Sequence, residues 1–264
     1  MEHHSPCHAQ KRERKTLLSV ITNTVPQDNE FFIKDDGVYF CGIYEDTLLK
    51  GVSPSNFQCW HYWGKSPNAC YMCGIRLRGA DAASFQALNY AYAMDISAVY
   101  TTSGRIAGAD TSTFQILDNG QNDSGAPQGY AKDKNNVYFH NGDGKVKVLK
   151  AADVCSFQSL GDTYFAKDCR HIYAYGKILP KADLNSWKLI GHLYSCDDTH
   201  IYYVNRKISA ADRKSFRLYT PLTAPSFCDL LARDANNCYI NDEIIDESYW
   251  LDRLKHVQDE CMSE

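Results

Sequence analysis

The sequence predicts a mainly β fold. It reads as tandem β-hairpin repeats, about seven units in an elongated array or a propeller-like arrangement, closed by a C-terminal capping helix. Three observations carry this reading. An apolar residue followed by tyrosine recurs along the chain, at Val38-Tyr39, Cys70-Tyr71, Val99-Tyr100, Val137-Tyr138, Ile172-Tyr173, Ile201-Tyr202 and Cys238-Tyr239. A polar turn precedes each tyrosine. A second signature, Ala-Asp-x-x-Ser/Thr-aromatic, follows most of them. An isolated hairpin is marginal in water, so units of this kind must stack to bury their aromatic faces.

Each element has a physical reason. Five residues before the tyrosine stands Asp95, Asp133, Asp168, Asp197 or Asp234; the first unit is one residue shorter, with Asp35, and the second has Ser66. Turn formers such as Asn135-Asn136 and Asn236-Asn237 fill the gap, and Asp and Asn suit tight turns because they bond their own backbone. Past the tyrosine a second turn often holds glycine, at Gly42, Gly74, Gly104, Gly142 and Gly176. The second signature then runs Ala80-Asp81-x-x-Ser84-Phe85, Ala109-Asp110-x-x-Thr113-Phe114, Ala152-Asp153-x-x-Ser156-Phe157, Ala182-Asp183-x-x-Ser186-Trp187 and Ala211-Asp212-x-x-Ser215-Phe216, with a weaker Val52-Ser53-x-x-Asn56-Phe57 in the first unit. Its Asp is placed to cap one helical or 3-10 turn, and its aromatic to point back into the core. Leu88, Leu117, Leu160 and Ile190 follow three residues on, as a short strand entering the next unit.

The repeat breaks at three places. Residues 118–129 form an insertion of loop composition, and residues 219–226 form a second. The last unit lacks the second signature; Asp246-Glu247 instead opens a stretch with Trp250, Leu254, Val257 and Cys261 at helical spacing. The organisation expected is a head or cap over 1–29, a repeat domain over 30–245 and a capping helix over 246–264.

Composition narrows the class. Eighteen Tyr, 11 Phe and 4 Trp favour half-buried pleated surfaces. The net charge is -4, and no basic stripe is visible in the sequence, which makes nucleic acid a poor partner. No apolar run approaches the ~18 residues of a membrane span, and the 16–25 segment is too broken for a signal peptide. The expected location is the cytoplasm, and eleven cysteines without paired spacing agree with free thiols.

Little points to chemistry. Cys59-x-His61 with Cys70-x-x-Cys73 has spacing that can hold zinc. The repeat alignment instead makes both later cysteines ordinary repeat positions, so no metal and no cofactor are expected. No phosphate loop or nucleophile arrangement stands out, and the carboxylates are spread one per unit, as structural caps are. The chain is not expected to be an enzyme.

The run Asp133-Lys134-Asn135-Asn136-Val137-Tyr138-Phe139 resembles the DKNYY repeat family of bacterial proteins, over about residues 30–245. The resemblance implies no catalytic motif. It implies a context beside polymorphic toxins, hence an immunity-type role: binding a cognate toxin protein, expected to be basic since the chain is acidic. The alternative is a module binding a small ligand or glycan through exposed aromatics. The candidate partner-binding residues lie where the repeat is broken: Trp60, Tyr62, Trp63, Asp118, Asn122, Asp123, Tyr219, Asp242 and Glu243.

Overall fold

A computed structural model describes residues 31–34, 36–41, 46–142, 146–161, 164–222 and 229–262. The head expected over 1–29 lies outside them, as do Asp35, Gly42 and residues 223–226 of the second insertion. The chain divides into two compact units, Met1–Phe114 and Gln115–Glu264. The sequence marks no boundary there, because Ala109–Phe114 matches the links elsewhere.

The predicted mainly β fold is what the structure shows: the described residues form seven small antiparallel sheets and one C-terminal helix, with no sheet among them closed into a barrel. The first unit holds three sheets. Sheet 1 is Phe31–Lys34, Gly37–Phe40 and Thr47–Leu48; sheet 2 is Gln58–Trp60, Trp63–Ser66, Ala69–Met72 and Ile75–Leu77; sheet 3 is Gln86–Ala87, Tyr92–Met94, Val99–Thr101 and Gly104–Arg105. The second unit holds four. Sheet 4 is Gln115–Ile116, Gly129–Lys132, Val137–His140 and Lys147–Val148; sheet 5 is Gln158–Ser159, Phe165–Lys167, Ile172–Ala174 and Lys177–Ile178. Sheet 6 is Lys188–Gly191, Tyr194–Cys196, Ile201–Tyr203 and Arg206–Lys207; sheet 7 is Arg217–Leu218, Leu231–Arg233, Cys238–Ile240 and Glu243–Ile245. Every strand pairs with its neighbour in sequence.

The sheet and the sequence repeat are offset. The short strand after each Ala-Asp-x-x-Ser-Phe link is the first strand of the following sheet, so one repeat straddles two sheets. The turn before the tyrosine joins the second strand to the third, with Asp133 N–H donating to Asn136 O at 2.9 Å in sheet 4. The turn after it is a two-residue loop in sheets 2 and 5. There Cys73-Gly74 and Tyr175-Gly176 all take positive φ, as the hairpin turn matching strand twist requires.

The core is a set of aromatic contacts between successive sheets. Six of the seven tyrosines face a small buried residue on the second strand: Gly64 opposite Tyr71, Ala93 opposite Tyr100, Ala131 opposite Tyr138, Ala166 opposite Tyr173, Ser195 opposite Tyr202 and Ala232 opposite Tyr239; Tyr39 faces Phe32 instead. That gap admits the aromatic of the link. Phe57 packs between Phe31 and Tyr71, and Phe85 between Trp63 and Tyr100. In the second unit Phe157 packs between Tyr130 and Tyr173, and Phe216 between Tyr194 and Tyr239. In these four links the aromatic stands between a ring of one sheet and the tyrosine of the next. In sheet 2 the gap cannot take even a methyl group: a Cβ on Gly64 would lie 2.5 Å from Phe57 Cζ.

The helix Glu247–Met262 closes the second unit. Its Trp250, Leu254 and Val257 pack on Leu231, Cys238, Ile240 and Ile245 of sheet 7. Asp246 caps it, accepting Ser248 N–H on its side chain at 2.8 Å, and a carboxylate at a helix N-terminus is favoured by the dipole. No helix among the described residues is long and apolar enough to cross a membrane.

Candidate functional site

The most elaborate polar arrangement in the chain is the repeated aspartate. Asp197 is the fullest copy. Its Oδ1 accepts the backbone N–H groups of Thr199 and His200 at 2.8 and 2.6 Å, which closes the turn. Its Oδ2 accepts the Tyr202 hydroxyl at 2.9 Å and the backbone N–H of Asp183 in the preceding link at 3.2 Å. Asp95, Asp168 and Asp234 repeat the pattern, taking the hydroxyls of Tyr100, Tyr173 and Tyr239 and the N–H groups of Asp81, Asp153 and Asp212. Asp133 takes the Tyr138 hydroxyl at 2.7 Å. All five aspartates are buried.

The link answers from its own side. Ser84 Oγ donates to Asp81 and accepts the N–H of Ile96, the residue after Asp95. Ser156 and Ser215 do the same for Cys169 and Ala235. The links before sheets 3, 5, 6 and 7 are thus each clasped to the sheet that follows by two hydrogen bonds that involve a side chain on one partner and backbone on the other. In the first unit Asp36 meets the Tyr39 hydroxyl at 2.7 Å in the open.

The electrostatics follow. Burial opposes ionisation of Asp95, but the hydrogen bonds from Asp81, Tyr100 and Ser97 outweigh it and hold the carboxyl at about 2. Asp168, Asp197 and Asp234 are lowered by the same balance. Burial, then the facing carboxylate, pushes Tyr100, Tyr173, Tyr202 and Tyr239 above the ordinary phenol range. A carboxyl with a depressed folded pKa contributes stability above its unfolded value of about 3.9 and loses it as pH falls through the folded value. The expected result is a urea midpoint that is level from pH 7 to about 5 and falls steeply between about 4 and 2. Urea titrations across that range check this; a flat profile down to pH 2.5 would exclude ionised aspartates as the fasteners.

The candidate partner-binding residues divide. Trp63 leaves the set: it is 1% exposed, and its indole N–H donates to Asn89 O at 3.0 Å. It occupies the second-strand ring position, eight residues before the tyrosine, shared by Phe31, Tyr92, Tyr130, Phe165 and Tyr194. That spacing is a sequence signal which identifies it as core. Trp60 and Tyr62 are half-buried beside Tyr90, at centroid distances of 5.8 and 6.3 Å, and His61 stacks on Tyr90. They do not form an open platform of three rings.

Asp118 and Asn122 hold the first insertion together. Asp118 accepts the N–H groups of Gly120 and Tyr130, and Asn122 accepts those of Ser124 and Ala126. Asp123 is exposed at the loop tip, its N–H donating to the Tyr164 hydroxyl. Tyr219 is half-exposed and packs edge-on against Trp250 at 5.0 Å. Asp242 pairs with Arg206 at 2.7 Å, and Glu243 is exposed beside it in chain. The cysteines of the zinc reading belong to the core. Cys59 packs with the sheet 1 cluster, whereas Cys70 and Cys73 pack with Trp63 and Phe85. Burial pushes the Cys59 thiol up to about 12 and the Cys70 thiol up to about 11.

The DKNYY family model matches residues 62–206 and again 92–243. The two matches overlap and are offset by about one repeat at their start, as a periodic chain allows. Together they cover more than half of the protein. The chain belongs to the DKNYY family. No curated protein and no solved structure matches it. In this DKNYY chain the family's polar motif coincides with the clasp: Asp133 is the acceptor, Asn135 and Asn136 donate their backbone N–H groups to it, and Tyr138 donates its hydroxyl.

Proposed function

We propose that the chain is a protein-binding, immunity-type protein that neutralises a cognate bacterial toxin by forming a complex with it. The observation that carries this reading is the use of the repeated polar groups. The aspartates and tyrosines that recur along the chain are consumed by the scaffold, so they are not a set of catalytic or ligand-stacking groups. What remains for recognition is the variable surface, where repeat proteins bind their partners. Toxin neutralisation itself is drawn from the setting in which such repeats are encoded. The glycan alternative loses support because one of its three rings, Trp63, is in the core.

The net charge speaks less for a basic partner for the same reason. The formal excess of four acidic residues is smaller than the number of aspartates buried in the clasps. Buried and hydrogen-bonded, those carboxylates offer nothing to a partner's side chains. Co-expression with the product of the adjacent gene, followed by pull-down and a growth assay, tests the proposal. A stable complex and rescue of growth are expected; the absence of both ends it.

A further inference from the structure

The fourth strand of a sheet is an edge, and several of these edges carry exposed basic residues beside exposed aliphatics. Sheet 2 gives the strongest case. Its edge reads Ile75-Arg76-Leu77-Arg78, with Ile75, Arg76 and Arg78 exposed and Ile75 at 69%. Among the described residues no carboxylate pairs with Arg76 or Arg78. The strand flanks a groove of about 300 Å³ whose far wall is Tyr100 and Thr102–Arg105, from the third strand of sheet 3 through the turn to its edge strand. Met72 and Leu77 line its floor, and Arg105, which donates to Ser97 O at 3.2 Å, adds a third guanidinium. Lys147-Val148 and Lys177-Ile178 repeat the basic–aliphatic pairing on the edges of sheets 4 and 5.

We infer that the Ile75–Arg78 edge and its groove dock an extended, acidic segment of a partner protein. The inference rests on the protein-binding reading and not on the toxin. An edge strand leaves every other N–H and C=O unpaired, so an added strand finds backbone partners. Along a strand, side chains alternate between faces, which puts Ile75 and Leu77 on one face and Arg76 on the other, with Arg78 following in the turn. The complement is a strand alternating aliphatic and acidic residues, whose opposite charges pair across the ladder. Nucleic acid fits less well. It asks for stacking rings among dispersed cations, whereas this groove offers aliphatic floor and an isoleucine. Charged residues on an edge also keep two copies apart, but an edge meant only to repel would not present Ile75 to water.

The test uses the full chain and four fluorescent probes: a ten-residue alternating Val-Glu peptide, its Val-Lys counterpart, and single-stranded and duplex DNA 20-mers. Anisotropy is expected to show binding of the Val-Glu peptide alone. Arg76→Glu with Arg78→Glu should weaken it by at least about tenfold, and Ile75→Ser should weaken it too. Arg76→Gln with Arg78→Gln, a milder pair, should give an intermediate loss with the far-UV spectrum unchanged. No binding of the Val-Glu peptide, preference for DNA, or indifference to both arginine pairs overturns the inference. A chain that binds the peptide but rescues no cell ends the toxin reading and leaves this one standing. A protective chain that ignores charge reversal does the opposite.

Discussion

Asp197→Ala is expected to destabilise the second unit by about 4 kcal/mol, because a buried acceptor is removed while its donors stay. Two backbone N–H groups in the turn, one in the preceding link and the Tyr202 hydroxyl would all lose their partner. The carboxylate that gathers these donors is fully buried. Tyr202→Phe removes one donor and leaves the rest satisfied, so it should cost only about 1 kcal/mol. Urea unfolding of the two variants side by side checks the contrast. If the tyrosine variant were the worse of the two, the hydroxyl and not the carboxylate would be the centre of the clasp.

Phe216→Ala should lose about 3–5 kcal/mol, the range for deleting a buried aromatic. The ring touches Tyr194 at 5.5 Å and Tyr239 at 5.6 Å, so its loss empties the space that joins sheets 6 and 7. Ala232 opposite Tyr239 is too small to fill the void. Phe216→Leu keeps most of the volume and should cost less than about 1.5 kcal/mol. Thermal melts give the size of the loss, and hydrogen exchange gives its place. Faster exchange at Tyr194–Cys196 and Cys238–Ile240 is the expected pattern; uniform protection with a large loss would place the damage elsewhere.

The repeat was legible because its chemistry is local. The five-residue gap from Asp to Tyr, the glycine turn and the capped link are each short enough to show as spacing, and each became a structural element. The capping helix was legible for the same reason: Asp246 and the spacing of Trp250, Leu254 and Val257 act within a few turns. What could not be read was where the second oxygen of each aspartate goes. It accepts a backbone N–H fourteen or more residues upstream, and a backbone donor leaves no mark in a sequence. Trp63 was misplaced because two tryptophans and a tyrosine close together look like a platform, although the eight-residue spacing to Tyr71 marks it as core. The basic edge was hidden by summation: a net charge of -4 counts carboxylates that the fold has taken inside.

The offset between sheet and repeat has a consequence for how such a chain can grow or shrink. Each sheet from the second onward takes its first strand from the segment after the preceding link, and each clasp joins a link to the hairpin that follows. A duplication or deletion of one whole period therefore restores every junction, whatever residue it starts on. The copy number can drift while the joints stay the same. Only the ends are fixed, because the final sheet meets a helix instead of another link. A lineage could lengthen its recognition surface one period at a time and keep a single closing piece throughout.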